Sequence, residues 1–156
     1  MAAQNQIRRL SSIQIGVTRR SPSSIGVGII FRNSHDATLR KIGYVTNEDD
    51  LDIATYDAVI HALENAAPPR ALRVTVYLDN ATIVDQLNRK IKVIPDLMDR
   101  FIMARCQANS IGRVQFELSK PRHGFAARRL ANAVGLDRQP VNTTVETPAL
   151  QLNFGD

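Results

Sequence analysis

The chemically most informative residues of this chain are its lysines and arginines, because they cluster. Between residues 105 and 138 there are seven of them and only two acids, Glu117 and Asp137, and the pair Arg19 and Arg20 lies in a turn near the start. The whole chain of 156 residues has 20 basic and 15 acidic side chains, a formal net charge of +5. Grouped cations neutralise phosphates, so the composition favours an anionic partner, with nucleic acid the first to consider.

The other reactive residue types lack the pattern that covalent catalysis or a metal cage needs. The single cysteine, Cys106, excludes an internal disulfide and a cysteine-based metal site. We expect it to be a small buried hydrophobic residue. His35 falls in a predicted turn, His61 in a predicted helix and His123 in a predicted loop, and none of them is expected to act as a nucleophile's base.

The acids divide into a run and an isolated aspartate. The run, residues 48–52, begins a stretch that reaches residue 64 and holds six acids but no lysine or arginine. We expect it to complement the positive end of the following helix, with Asn47 or Asp49 as the cap. The isolated Asp79 directly follows an alternating apolar string. It is either the remnant of a functional site or the cap of the next helix, and the cap is favoured.

Hydrophobic periodicity predicts the elements that must position these side chains. Alternating or dense apolar runs predict five strands, at Ser12–Thr18, Ile25–Arg32, Thr38–Val45, Arg73–Leu78 and Val114–Leu118. Helical spacing predicts a helix from Ile53 to Ala67, a short one through Leu87, one with the apolar stripe Ile94, Leu97, Met98, Phe101 and Ile102, and a last one at Phe125–Val134. Within the second strand, Gly26 and Gly28 indicate a close backbone approach or a bulge.

Three adjacent strands followed by alternating helices and strands predict an α/β fold. The expected architecture is a five-stranded mixed sheet, with the first three strands antiparallel, the later ones joined by crossovers, and helices on both faces. We expect residues 1–11 to be a flexible N-terminus, 12–137 the domain and 138–156 a C-terminal tail. With no long apolar run and no secretory leader, the chain is expected to be intracellular and without a membrane partner.

Four strings resemble segments of the ribonuclease H family, and they occur along the chain in the order that the family has. The resemblance extends over roughly residues 12–136. The string VTVYLDNATIVDQL at 74–87 resembles the family's fourth strand, the catalytic aspartate at its end and the helix behind it. ATYDAVIHALENA at 54–66 is similar to the first helix, RRSPSSIGVGII at 19–30 to the first turn, and RHGFAARRLANAVG at 122–135 to the last helix. The resemblance implies a ribonuclease H-like fold.

The resemblance also implies a site at which this chain departs from the family. Family members cleave the RNA strand of an RNA–DNA hybrid with two Mg²⁺ ions held by four carboxylates. Hard cations prefer oxygen ligands, and two ions about 4 Å apart need several negative charges around them. By the resemblance the four carboxylate positions fall on Ile15, Thr55, Asp79 and Arg128, so only Asp79 keeps an acid. We therefore expect no metal site and a loss of two-metal hydrolysis.

Without hydrolysis, the function that the resemblance implies is binding of an RNA–DNA hybrid or of double-stranded RNA. In the resembled fold, the Arg19–Ser24 turn and the Lys120–Arg129 segment flank the position of the active site, so we expect a basic cleft there; the alternative is a scattered solvated face. The expected nucleic-acid-binding residues are Arg19, Arg20, Lys120, Arg122, His123, Arg128 and Arg129. Because aromatic residues are 5% of the chain and tryptophan is absent, little is available to stack on unpaired bases, which disfavours a single-strand binder.

Two alternatives stay open. The first is a weak or altered ribonuclease H that uses Asp79 with one Mg²⁺ or Mn²⁺ and acids from residues 48–52; otherwise no cofactor is expected. The second is a protein-interaction module in a reverse-transcriptase-derived or ribonucleoprotein assembly, docked through the apolar tail Val141–Phe154. Acids that converge on Asp79 would favour the first alternative, and a large exposed apolar patch would favour the second.

Overall fold

The computed structural model describes residues 9–66, 72–137 and 141–144. The strands in these residues are β1 (Leu10–Ser21), β2 (Ser24–Asn33), β3 (Thr38–Thr46), β4 (Leu72–Leu78), β5 (Gly112–Leu118) and β6 (Val141–Thr144). The helices are α1 (Leu51–Glu64), α2 (Ala81–Leu87), α3 (Pro95–Ile111) and α4 (Pro121–Asp137). In this part of the chain no helix has the length and apolar character needed to span a membrane.

The strands form one mixed sheet in the order β5-β4-β1-β2-β3-β6. β1, β2 and β3 are antiparallel neighbours, whereas β4 runs parallel to both β1 and β5. This arrangement confirms the five predicted strands and the ribonuclease H-like α/β architecture.

The hydrophobic pattern did not predict β6, which pairs antiparallel with residues 40–43 of β3. Its four residues lie in the segment expected to be a tail, and a strand so short shows no recognisable period of two. The rest of that tail, from residue 145 on, and most of the expected flexible N-terminus lie outside the described residues. The boundaries 1–11, 12–137 and 138–156 stay a prediction.

Helix α4 lies directly on the backbone of β1 and β2, at glycines of both strands. A Cβ atom at Gly16 would come within 2.6 Å of the backbone nitrogen of Arg128, and one at Gly28 within 2.8 Å of that of Ala131. A Cβ atom at Gly26 would meet the Ala131 carbonyl. The predicted close backbone approach at Gly26 and Gly28 is therefore confirmed, and it fixes the point from which the Arg128 side chain starts.

The opposite face of the sheet carries the main hydrophobic core, beneath α1. Alternate residues of β1 and β2 are buried there, namely Ile13, Ile15, Val27 and Ile29. Tyr56 of α1 is fully buried among them, and its hydroxyl donates a hydrogen bond of 2.7 Å to Oε1 of Gln86. Because α4 and α1 cover opposite faces, the predicted placement of helices on both faces is confirmed.

Helix α1 begins one residue away from a predicted cap. The carboxylate of Asp50 accepts hydrogen bonds from the backbone N–H groups of Asp52 at 2.8 Å and Ile53 at 3.1 Å. The prediction of Asn47 or Asp49 as the cap was wrong, because several capping side chains in a row leave the sequence pattern with no means of choosing among them.

Helix α3 buries only part of the predicted stripe: Leu97 is buried and Phe101 packs, partly buried, against the core. Its buried residues are Leu97, Ala104, Ala108 and Ile111. Met98 and Ile102 are 39% and 50% exposed, and Ile94 precedes the helix. Cys106 is exposed, so the expectation of a buried cysteine was wrong. The apolar residues 94–102 fall on two adjacent faces of the helix, and spacing alone does not show which face meets the core.

Candidate functional site

The end of β4 opens into a cleft of about 330 Å³. The residues that line it are Ile15, Val17, Leu51, Thr55, Leu78, Asp79, Asn80 and Ala81. Three of the four positions marked by the family resemblance, Ile15, Thr55 and Asp79, therefore lie around one cavity. The fourth, Arg128, reaches Asp79 from α4. The structure thus brings the four positions together, although 113 residues separate Ile15 from Arg128 along the chain.

Asp79 directly follows β4, and the favoured prediction that it caps α2 was wrong. The cap is Asn80, whose Oδ1 accepts a hydrogen bond of 3.1 Å from the backbone N–H of Ile83. Nδ2 of Asn80 donates a second hydrogen bond, of 2.8 Å, to Oδ1 of Asp52 in the first turn of α1. Asn80 therefore joins the beginnings of two helices, and the Asp79 carboxylate is left for another partner.

That partner is Arg128, which forms an ion pair with Asp79. Nη1 of Arg128 donates to Oδ1 of Asp79 at 2.9 Å, and Nη2 donates to the Pro121 carbonyl at 3.2 Å. The Asp79 and Arg128 side chains are 30% and 34% exposed. Solvent screens a pair at this depth, so its contribution to the free energy of folding is about 0.2–1 kcal/mol. Its main effect is geometric, since two acceptors hold the guanidinium beside the end of β4.

Gly124, in the first turn of α4, makes room for this ion pair. A Cβ atom at Gly124 would lie 3.0 Å from Oδ1 of Asp79 and closer still to Nη1 of Arg128. Sequence reasoning missed this residue, because it precedes the predicted helix and no turn motif marks it.

We expect Gly124→Ala to displace the Arg128 guanidinium while the fold persists. The charged atoms that the new methyl group meets are the ends of two side chains, and alanine favours a helix over glycine by up to about 1 kcal/mol. The free energy of unfolding, measured by circular dichroism, should stay within about 1 kcal/mol of the wild type. The Arg128 side-chain N–H resonances should shift in NMR spectra; unchanged resonances would contradict the prediction.

Neither Ile15 nor Thr55 brings a charge to the cleft. Ile15 is 1% exposed and its side chain belongs to the hydrophobic core. Thr55 is 5% exposed, and its hydroxyl donates a hydrogen bond of 2.6 Å to the Leu51 carbonyl one turn earlier in α1. The hydroxyl proton of Thr55 is therefore committed to the helix backbone.

The pair of divalent ions that the family resemblance implies does not fit these residues. Of the described residues that line the cleft, Asp79 alone is an acid, and its Oδ1 already accepts a hydrogen bond from Arg128. Among the described residues, no three histidine, cysteine, aspartate or glutamate side chains are placed to share a metal ion. Of the acidic run required by the altered-nuclease alternative, Asp52 accepts a hydrogen bond from Nδ2 of Asn80, and Asp50 caps α1. A divalent ion about 5 Å from the guanidinium would be repelled by several kcal/mol at an effective dielectric of about 20.

Arg19 and Arg20, which were predicted to lie in a turn, belong instead to the end of β1, because the strand continues to Ser21, and their side chains lie on opposite sides of it. Arg19 donates to the carbonyl of Asp49, in the acidic loop before α1, and to that of Pro22 at 3.2 Å. Arg20 donates to Oδ1 of Asn132 on α4 at 3.1 Å. Successive side chains of a strand point to opposite faces, which is why these neighbours diverge.

The α4 side of β1 gathers the larger share of the cations. Arg20 lies there together with Arg128, and Arg129 is exposed on the same helix. Asn132 also accepts a hydrogen bond of 3.2 Å from Oγ1 of Thr18. Sequence reasoning missed Asn132, although its position four residues after Arg128 places it on the same side of the helix.

The remaining basic residues are spread more widely. Lys120 is exposed in the loop that leads into α4, and the side chains of Arg122 and His123 lie outside what the structure describes. Arg105 lies on α3, where its guanidinium donates to the Leu87 carbonyl at 3.5 Å. Burial and the nearby Arg89 lower the pKa of Arg105. Arg105 is therefore a structural cation of α3.

Comparison with known proteins gives a family for this chain. The model of the reverse transcriptase-like family matches residues 15–134. The bifunctional protein Rv2228c of Mycobacterium tuberculosis is 28% identical over 123 residues, which cover 75% of this chain and 33% of that protein. This chain thus spans about a third of the length of the curated relatives it matches.

Solved ribonuclease H structures share the fold. The N-terminal RNase H domain of Rv2228c matches with a TM-score of 0.70 and 22% identity, over 82% of this chain and 96% of that one. LC11-RNase H1, isolated from compost and solved in complex with an RNA/DNA hybrid, matches with a TM-score of 0.67 and 22% identity, over 78% and 92%. With a family model that matches most of its length, this chain is a member of the reverse transcriptase-like family and has the ribonuclease H-like fold.

Proposed function

We propose that this domain binds nucleic acid, as an RNA–DNA hybrid or double-stranded RNA, and does not hydrolyse it by the two-metal route. The observation that carries the proposal is the ion pair between Asp79 and Arg128. A cation stands where the family resemblance implies a carboxylate, and the cleft keeps one acid instead of four. The donor set has changed from one that attracts divalent cations to one that attracts phosphate.

Two further observations support a nucleic-acid partner. The chain has a net charge of +5, and Arg20, Arg128 and Arg129 lie on one side of the sheet along α4. A related domain, LC11-RNase H1, was solved with an RNA/DNA hybrid. A-form and hybrid helices are recognised mainly through phosphates and 2′-hydroxyls in a shallow groove, which suits a cleft with cations and few aromatics.

The proposal predicts binding that weakens steeply with salt and depends on Arg128. Each phosphate contact releases counterions, so loss of one contact lowers the logarithmic salt slope by about one. At low salt Arg128→Glu should weaken binding about 10–100-fold, the range expected for loss of a charge-assisted hydrogen bond. Fluorescence anisotropy with a labelled hybrid, duplex RNA, duplex DNA and single strands measures both effects.

Arg113→Glu is the matched control, because it makes the same change of charge on an exposed residue. In the sheet, Arg113 of β5 lies opposite Arg73 of β4. Arg73 is near the start of β4, whereas Asp79 follows the other end of that strand. The Kd of the Arg113→Glu variant for the hybrid should stay within about threefold of the wild-type Kd. A Kd that does not change with salt concentration, or the absence of detectable binding at low ionic strength, would contradict the proposal. Cleavage of the hybrid in Mg²⁺ or Mn²⁺ that Asp79→Asn abolishes would favour the altered nuclease instead.

A second candidate function, protein interaction, is favoured by a separate surface. A groove of about 790 Å³ lies between β3, α1 and α3, with Ile42, Ile60 and Met103 among its lining residues. Met103 and the adjacent Ile102 are 51% and 50% exposed. Exposed apolar surface next to a groove is typical of a protein-binding face. Failure of every nucleic acid in the binding panel at low salt would favour this candidate.

A further inference from the structure

We infer that the Arg128 guanidinium takes the place of divalent metal as the cation that receives a backbone phosphate in this cleft, so that binding needs no Mg²⁺. The inference rests on the proposed nucleic-acid binding and adds the group that contacts the phosphate. It also assigns Asp79 a new role, as a positioning residue for Arg128.

The first argument is that Arg128 has donors to spare. A guanidinium carries five N–H donors, and the hydrogen bonds to Asp79 and Pro121 account for two of them. The side chain is 34% exposed, so a ligand can reach it from solvent. The planar fork of an arginine matches two oxygens of one phosphate, which a lysine or a single amide does not.

The second argument is that the guanidinium is already held in place before a ligand arrives. At its base, the backbone of Arg128 lies against Gly16 of β1, where even a Cβ atom would come within 2.6 Å. At its end, the carboxylate of Asp79 and the carbonyl of Pro121 each accept one hydrogen bond. A side chain fixed at both ends loses little conformational freedom when it binds, which favours affinity.

The third argument concerns charge. Four carboxylates would repel a phosphate unless metal ions stood between them, whereas here the one acid of the cleft is paired with a cation. The phosphate therefore meets a neutral pair with open N–H donors. A divalent ion would find a single carboxylate that is already occupied, and it has little to contribute to binding.

The test compares the wild type with Arg128→Asp in two buffers of equal ionic strength, one with EDTA and one with Mg²⁺. A fluorescently labelled RNA–DNA hybrid is the probe. The wild-type Kd should agree between buffers within about twofold. Arg128→Asp should bind about tenfold or more weakly in EDTA, and Mg²⁺ should restore part of the affinity, because a second carboxylate beside Asp79 gives the ion two anionic ligands.

Arg129→Asp is the matched control, with the same change of charge one residue further along α4. It should weaken binding equally in both buffers, without rescue by Mg²⁺. Thermal unfolding gives a second readout: Mg²⁺ should raise the Tm of Arg128→Asp and leave that of the wild type unchanged. Wild-type binding that requires Mg²⁺, or Arg128→Asp binding at wild-type strength in EDTA, would overturn this inference and leave the proposed function standing. No binding in either buffer would overturn both.

Discussion

Combining Ile15→Asp, Thr55→Glu and Arg128→Asp in one chain is expected to give Mg²⁺-dependent cleavage of an RNA–DNA hybrid. The three changes restore the acids that the family resemblance places around Asp79, at positions that the structure brings to one cleft. Four carboxylates supply the oxygen ligands and the negative charge that two divalent ions need. A gel assay with a labelled hybrid, with and without Mg²⁺, measures the gain.

The same variant should be markedly less stable than the wild type when no metal is present. Ile15 and Thr55 are 1% and 5% exposed, so two of the new carboxylates enter the protein interior. Burial of unpaired charge costs several kcal/mol, and mutual repulsion adds to it. A divalent ion at 100 times its Kd would return about 2.7 kcal/mol of the unfolding free energy, visible as a rise in Tm.

The matched control for this variant combines Ile15→Asn, Thr55→Gln and Arg128→Asn, which reproduces the shapes without the charges. It should neither cleave the hybrid nor gain Tm in Mg²⁺. Two results would contradict the prediction. The first is that the triple variant with restored acids folds but its Tm does not change when Mg²⁺ is added. The second is that the wild type cleaves the hybrid in Mg²⁺.

Gly28→Ala is expected to destabilise the domain strongly. Gly28 is the middle member of a row in which Gly16, Gly28 and Gly43 pair across β1, β2 and β3. A Cβ atom at Gly28 would meet the Ala127 carbonyl and lie 2.8 Å from the backbone nitrogen of Ala131. Backbone atoms of a packed helix do not yield, so α4 must lift from the sheet.

The expected cost of Gly28→Ala is about 3 kcal/mol or more, at the upper end for overpacking. In a domain of this size each kcal/mol lowers Tm by about 2–4 °C, so circular dichroism should show a loss near 10 °C. Gly124→Ala, the same substitution against the ends of side chains, is the control and should stay close to the wild type. A loss below about 1 kcal/mol for Gly28→Ala would mean that α4 does not lie on the glycine row.

Periodicity predicted β1 and β4 well because apolar residues alternate along them, and β2 was predicted from a denser apolar run that is buried on both faces. It failed where the signal was short or ambiguous. β6 has four residues, and its pairing with β3 depends on a partner strand about 100 positions away. In α3 the apolar residues 94–102 cover two faces, and the small side chains of Ala104 and Ala108, which allow close packing, carry no strong hydrophobic signal.

The sequence was enough to name the main residues of the site, but not to predict the hydrogen bonds between them. The string VTVYLD identified Asp79 as the end of a strand, and the resemblance placed Ile15, Thr55 and Arg128 near it. The hydrogen bond between Arg128 and Asp79 spans 49 positions, and no local pattern encodes it. The roles of Asn80 and Gly124 depend on the same long-range packing, so the local sequence alone favours Asp79 as the helix cap.

The short strand β6 has a consequence for how the molecule behaves in concentrated solution. The two edge strands of an open sheet have unpaired backbone N–H and C=O groups, and further chains can pair with these groups and aggregate. Within the described residues, one edge of the sheet is the four-residue strand β6, and a strand of that length is a poor template for further pairing. The edge strand on the other side of the sheet is β5, which has the exposed polar side chains of Arg113, Gln115 and Glu117. Short or charged edge strands of this kind disfavour edge-to-edge pairing between copies of the domain.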